Sequence, residues 1–406
     1  MFQHSTDLSQ SRNPLIGMEK WDNQNTEADR VNMSLGYHYL KKADCIVDPE
    51  LQTCAEKVLA GERLSGEDGL RLINSDNLIF LGSLARLVKE KKTHDYAFFN
   101  VNKHLNLTNV CVSRCKFCAF SRDLDDHDAY TMTVDQAVDH AFSASPDGIT
   151  ELHVVSGLHP KLSFDYYVSV VGALKEAMPH VHIKAFTAVE IKYFSQISGL
   201  SVEEVLRILK DAGLGSLPGG GAEIFSSRIR EQTCEKKATA REWLDVMETA
   251  HKIGLKSNAT MLFGHIETAE ERISHLLELR ELQDSTGGFQ AFIPLTFHPE
   301  NTDLSYLKKP SAWEILKMHA ISRLILDNFD HIKAFWIMTG TKLAQLTLEF
   351  GVDDLDGTIL GEKITHSAGG QTAQFVEKKR LINMIKEMRK TPVERDTLYH
   401  KLQIYN

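Results

Sequence analysis

The sequence predicts an α/β chain whose strand–helix units close into a (β/α)8 TIM-type barrel, and three observations carry that expectation. After residue 95, short apolar runs of strand length alternate with longer amphipathic segments. The alternation recurs about eight times at fairly even spacing, the pattern of a parallel sheet with crossover helices. No dinucleotide-binding glycine fingerprint follows any run, which favours a closed barrel over an open doubly wound sheet.

The elements follow in order. Residues 1–30 are polar and aperiodic and read as a mobile arm. Residues 31–95 read as a helical layer: Leu51, Cys54, Ala55, Val58 and Leu59 share one helical face, Ser65-Gly-Glu-Asp68 looks like a helix start, and Asn77 to Lys92 repeats the pattern. The barrel is expected over 96–371. Its strand-like runs are Ala97–Val110, Glu151–Ser156, His182–Ile191, Gly215–Gly219, Lys256–Gly264, Phe289–Phe297, Ile332–Met338 and, least clearly, Thr358–Leu360. A last helix from about Thr372 to Lys390 predicts a helical cap over 372–406.

Composition narrows the function classes. With 406 residues and 42% apolar content, the chain can bury a large core. A net charge of −9, from 46 basic and 55 acidic residues, argues against a sequence-independent grip on nucleic acid. Met1 to Gly17 lacks the apolar centre of a signal peptide and no apolar stretch has the length of a membrane span, so a cytoplasmic protein with no membrane insertion is expected.

The densest chemistry lies in Asn109-Val-Cys-Val-Ser-Arg-Cys-Lys-Phe-Cys-Ala-Phe120. Cys111, Cys115 and Cys118 are spaced to grip one iron–sulfur cluster while leaving it a ligand short, and an iron without a protein ligand is open to chemistry. Structural zinc needs a fourth ligand, which Cys45, Cys54 or Cys234 could supply only through the fold. Disulfides fit poorly, since six cysteines in 406 residues make no disulfide scaffold.

Barrel sites form at the C-terminal ends of the strands, and further motif-like segments end the other runs. Ser156-Gly-Leu-His-Pro160 could be a simple turn or a place where backbone meets a ligand. Glu190, in Lys184-Ala-Phe-Thr-Ala-Val-Glu190, must be paired to a base or engaged with a ligand if buried. Three glycines in Leu217-Pro-Gly-Gly-Gly-Ala-Glu-Ile imply a close approach or a flexible loop, and Arg228 and Arg230 beyond them could be solvated helix charges. His265, His298 and His366 fall near the ends of the fifth, sixth and eighth runs.

Together with Asn258-Ala-Thr-Met261, Gly264-His-Ile-Glu267, His298-Pro-Glu-Asn-Thr302 and Thr365-His-Ser-Ala-Gly369, these segments resemble a narrow subgroup of the radical S-adenosylmethionine (SAM) enzymes over residues 95–390. That subgroup holds the two radical enzymes of the futalosine route to menaquinone and the two halves of deazaflavin synthase. The sixth and eighth segments look most like the aminodeoxyfutalosine synthase family.

The resemblance implies a 4Fe–4S cluster on Cys111, Cys115 and Cys118, with SAM as co-substrate. It implies Phe117 on the adenine, Ser156 and Gly157 along the methionine part, Arg230 on the carboxylate, and Glu190 and Met261 in the same site. Glu190 and His298 stand as catalytic candidates. The implied reaction adds the 5'-deoxyadenosyl radical to 3-[(1-carboxyvinyl)oxy]benzoate, with aryl migration and decarboxylation, and draws its electron from a flavodoxin or ferredoxin. Lys184, Arg241 and His298 are candidates for holding the substrate's carboxylates. The alternatives are a cyclic dehypoxanthinylfutalosine synthase, a deazaflavin synthase subunit, or a non-catalytic iron–sulfur or zinc protein.

Overall fold

The computed structural model describes residues 49–143 and 148–406. The polar arm expected over 1–30, the start of the helical layer and Cys45 lie outside them. The layer that is described has three helices, Pro49–Ala60, Gly66–Asn74 and Leu78–Thr93. The second begins with the capping box that its sequence spells: the Asp68 N–H donates to Ser65 Oγ while the Ser65 N–H donates to the Asp68 carboxylate.

Eleven strands are described: β1 (Tyr96–Asn100), β2 (Asn102–Leu105), β3 (Glu151–Val154), β4 (His182–Ala185), β5 (Ser216–Leu217), β6 (Lys256–Phe263), β7 (Phe289–Thr296), β8 (His331–Ile332), β9 (Asp354–Gly357), β10 (Thr391–Arg395) and β11 (Lys401–Ile404). β2 to β8 form one parallel seven-stranded sheet in sequence order. Residues 353–360 span the gap between its edges, because Lys333 bridges Asp354 and Lys103 bridges Leu360, both in parallel. The ring is therefore completed by an eighth segment held through single bridges.

The expected first run is divided. Its front half, β1, joins a second sheet of order β11–β10–β1–β9, and only β2 enters the barrel. Two asparagines mark the change of sheet: the Thr358 N–H donates to Asn100 O, the Asn102 N–H to Thr358 Oγ1, and Asn102 Oδ1 accepts the Ile359 N–H. The eighth strand lies at Asp354–Gly357 rather than at 358–360. Its aspartates hide a strand pattern, and they are buried because cations meet them: Arg395 Nε is 2.6 Å from Asp354, and Arg323 Nη2 is 2.6 Å from the preceding Asp353.

Three further segments differ from expectation: of the run Ile332–Met338 only Ile332 is strand, ending β8, and Trp336–Thr339 is a helical turn. Helix Ala188–Ser198 occupies what reads as the tail of a strand, since Thr187 and Glu190 form a capping box that starts a helix there. The 372–406 segment is not purely helical: after helix Lys378–Glu387, β10 and β11 pair with each other and β10 with β1. The Pro392-Val-Glu-Arg395 stretch pairs its main chain beside β1, and propensity alone did not mark it.

The strand register fixes what faces the barrel interior. His104, His153, Lys184 and Ser216 are successive partners across β2 to β5, so their side chains share one face. Lys103, on the opposite face, reaches outward to Ser143 Oγ at 2.9 Å. Below this row the closing segment floors the barrel: Tyr399 stacks on His331 at 3.7 Å, Phe98 meets both rings edge-on, and the Arg395 guanidinium lies 4.1 Å from the Tyr399 ring. Among the described residues no helix is long and apolar enough to cross a membrane.

Candidate active site

Beyond β2 the chain folds over the mouth of the barrel as the cysteine loop. Its ends are tied together, with the Cys111 N–H on Arg122 O at 3.0 Å and the Arg122 N–H on Asn109 O at 2.8 Å. It is tied outward as well, through Val112 N–H to Leu158 O (3.0 Å), Lys116 N–H to Thr233 O (2.8 Å) and Asp303 N–H to Lys116 O (2.9 Å). Such a loop holds its side chains in fixed places. Cys115 is buried, Cys111 and Cys118 are half-buried, and all three are free thiols.

This donor set fits an iron–sulfur cluster. Burial pushes the Cys118 thiol up, while the main-chain N–H groups of Phe120 and Ser121 donate to its sulfur and the Lys237 ammonium stands near, both of which favour thiolate. No group of three or more His, Cys, Asp or Glu among the described residues is arranged to hold a metal ion. A four-iron cluster held by three thiolates keeps one iron without a protein ligand.

The loop also has a neighbour that sequence separation concealed. Cys234, at the end of the short helix Ser227–Thr233, shares a hydrogen bond with the Cys115 thiol, which pushes Cys115 up and pulls Cys234 down to about 6. Lys237, paired with Glu223, adds positive charge beside both. Only the fold joins residues so far apart.

The turn after β3 is built to touch the cysteine loop. A Cβ on Gly157 would sit 2.2 Å from Val110 O and 3.1 Å from the Cys111 Cβ, so the glycine lets two backbones meet. Its N–H donates to Thr108 O at 3.0 Å. The Ser156 N–H donates to Glu190 Oε1 at 2.9 Å, and Ser156 Oγ accepts the Leu107 N–H at 2.9 Å. Glu190 is buried and has no ion-pair partner among the described residues. Its other oxygen accepts from the Thr187 N–H (2.7 Å) and hydroxyl (2.8 Å), and burial outweighs these bonds to bring its carboxyl up to about 7. It clamps the ends of β3 and β4 together.

The glycine run after β5 is likewise a close approach. A Cβ on Gly219 would meet the Ala259 backbone at 2.8 Å, and Thr260 Oγ1 donates to Gly219 O at 2.7 Å. Arg230 is no solvated helix charge, being 6% exposed. It donates through Nη1 to Ala222 O at 2.7 Å and through Nη2 to Ala238 O, leaving Nε buried with no partner among the described residues. Phe117 sits in a small apolar group with Leu262, Phe297 and Leu304 under the Lys237 ammonium, and Met261 is wholly buried on β6.

Each rim histidine has partners. His298 bonds Met338 O through Nε2 at 2.9 Å and stands 3.3 Å from Lys309 Nζ; burial, with that lysine, holds it below the ordinary imidazole value. His265 is bonded to Leu262 O and lies 3.1 Å from Glu267, which is itself fixed by Arg272. His366 bridges Glu362 and Thr372 O. Of the carboxylate-binding candidates, Lys184 lies inside the barrel, 2.7 Å from Glu151. Arg241 does not belong to the site: it stands on the outer helix Ala240–Lys252 with its side chain 79% exposed, paired to Asp245.

A β/α barrel with three free thiols on the loop after its first strand is the architecture of a radical SAM enzyme, and the comparisons agree. The Radical SAM superfamily model matches residues 105–279, and that of the CofH/MqnC C-terminal region matches 286–406. Aminodeoxyfutalosine synthase of Thermus thermophilus is 44% identical over 365 residues, covering 89% of this chain and 98% of that protein. The Streptomyces coelicolor aminodeoxyfutalosine synthase is also 44% identical, covering 86% and 93%. The cyclic dehypoxanthine futalosine synthase of the same organism is 36% identical, covering 88% and 90%. Among solved structures, the FeFe-hydrogenase maturase HydG from Carboxydothermus hydrogenoformans shares the fold, with TM-score 0.68, 17% identity, and coverage of 93% of this chain and 87% of that one. The chain belongs to the radical SAM superfamily and, within it, to the family of the aminodeoxyfutalosine synthases.

Proposed function

We propose that this enzyme joins the adenosyl group of SAM to 3-[(1-carboxyvinyl)oxy]benzoate, with rearrangement and loss of a carboxyl group, to give 6-amino-6-deoxyfutalosine for menaquinone synthesis. The observation that carries this reading is the 44% identity, across almost the whole of each protein, to two aminodeoxyfutalosine synthases.

In this reading Cys111, Cys115 and Cys118 hold a 4Fe–4S cluster, which supplies the electron that cleaves SAM once a flavodoxin- or ferredoxin-type donor has reduced it. The chain's own residues do the positioning. Phe117 offers a face to the adenine, and the Arg230 Nε–H offers a donor to the SAM carboxylate. The Ser156–Gly157 main chain and Met261 line the same place. The N–H groups of Ser156 and Gly157 are already bonded within the protein, so their carbonyls are the groups left for the methionine part. Glu190 holds that turn in place, and His298, kept neutral by burial, stands at the rim toward the substrate. A deep barrel suits a primary radical that must meet one alkene and no other partner.

A second reading, the hydrogen-abstracting cyclic synthase, is favoured by the CofH/MqnC match. Product analysis separates the two. With SAM labelled in the adenosyl ribose, a reductant and the enol-ether benzoate, the label should enter a product holding both adenine and the benzoate ring. Release of free 5'-deoxyadenosine as the main adenosyl product overturns the proposal.

A further inference from the structure

The row of side chains across β2 to β4 places two imidazoles face to face inside the barrel. His104 and His153 stack with centroids 4.5 Å apart and planes 15° from parallel, and Phe335 lies nearly parallel to His104 on a 6.2 Å centroid separation. The stack follows from the register, since His104 and His153 are paired residues on adjacent parallel strands.

Their hydrogen bonding sets them apart. The buried histidines elsewhere have partners: His275 bonds Thr260 O, His298 Met338 O, His319 Ile315 O and His331 Asp353. The ring nitrogens of His104 and His153 have no hydrogen-bond partner among the described residues, although His104 is only 7% exposed. Unlike His265, His275 and His319, neither has an enclosed ring nitrogen without a partner, and His153 is half-buried, so these nitrogens face open space where an arriving group with acceptors can bond them.

The surrounding charges are already committed. Lys184 is paired with Glu151, Lys333 lies 3.7 Å from Asp356, and Glu362 is bonded by His366 and the Thr365 N–H. What remains open is a pair of imidazole edges beside an aromatic ring. Burial holds both imidazoles neutral, so each brings one N–H without bringing a charge.

Resting on the function proposed above, we infer that His104 and His153 form the subsite that receives the ring carboxylate of the aromatic substrate. The enol ether must face the cysteine loop at the mouth, so the opposite end of the molecule points down the barrel. His153 stands three residues before Ser156, one step below the rim. An anion there gains charge-assisted hydrogen bonds, and its ring gains the face of Phe335. His104 and His153 are thus positioning residues for the substrate and not groups of the SAM site.

The test uses the reconstituted holoenzyme under anaerobic conditions, with His153→Phe to keep a stacked ring without nitrogen and His153→Gln to keep a donor. H153F should raise KM for 3-[(1-carboxyvinyl)oxy]benzoate at least about tenfold while SAM affinity and cluster iron stay at wild-type values, and H153Q should recover part of that loss. An analogue lacking the ring carboxylate should bind wild type and H153F alike. If H153F does not load its cluster, His104→Gln read by equilibrium binding of the diacid and the monoacid takes its place. Equal discrimination between diacid and monoacid in wild type and variant overturns the subsite. A wild-type enzyme that neither binds nor converts the diacid overturns the proposed function instead.

Discussion

Gly157→Ala tests how closely the cysteine loop depends on its support. The added methyl would lie 2.2 Å from Val110 O and 2.8 Å from Val110 C, whereas real Cβ atoms keep at least 3.0 Å, so one backbone must retreat by about 0.8 Å. Neither is free to do so. The turn is held by Gly157 N–H to Thr108 O and by Ser156 N–H to Glu190, and the loop by Cys111 N–H to Arg122 O. Forced overpacking of this kind costs about 1–3 kcal/mol. A displacement near 1 Å also costs on the order of a hundredfold in rate where reacting groups must be aligned. Gly157→Ala should therefore lower the thermal midpoint of the apoprotein and bind less iron, with turnover falling further than iron content. Gly172→Ala is the control, because it sits in helix Phe164–Ala177 with nothing within 4 Å of the new methyl, and it should stabilise by roughly 0.5–1 kcal/mol. A Gly157→Ala enzyme with wild-type midpoint, iron and rate would refute the argument that the turn and the loop are in enforced contact.

Ala at Cys111, Cys115 or Cys118 should abolish turnover and reduce reconstituted iron, while Cys54→Ala, buried in the helical layer, should keep full iron; an intact cluster in Cys115→Ala ends the three-thiolate assignment. For pH, the Glu362 carboxylate raises His366 to about 9, above its unfolded value, so its stabilisation is complete below about pH 6.5 and lost as pH rises through 9. The unfolding free energy should thus fall by up to ~3 kcal/mol across that window, and His366→Asn should flatten the fall; an identical slope in the variant would reject His366 as its source.

The barrel was legible because alternation of short and long apolar segments is a local property repeated along the chain. The three-cysteine loop was legible for a related reason, since its ligands lie within eight residues of one another. What escaped reading was whatever the fold assembles from a distance. Cys234 meets Cys115 across more than a hundred residues of sequence. Arg241 looked like a candidate for an anion until the helix turned it outward; for Arg230 the residues alone left a solvated helix charge open, the resemblance pointed to the SAM carboxylate, and the fold buries it. One miss was avoidable: Thr187-Ala-Val-Glu190 carries the threonine-to-glutamate spacing of a capping box, and that signal was outvoted by the apolar run before it. The strands at the C-terminus had no such signal, because β10 is defined by its pairing with β1 and not by its own residues.

The floor of the barrel gives the stacked histidines their setting. Asp353 takes Arg323 and His331, Asp354 takes Arg395, and all four of those acidic and guanidinium groups are fully enclosed. Buried ion pairs of this kind are a weak source of stability, since desolvation offsets much of their attraction, so their presence calls for another reason. Their position supplies one. They tie the closing segment of the chain to β8 and β9 beneath the barrel, and with Tyr399 stacked on His331 they shut the end opposite the cysteine loop.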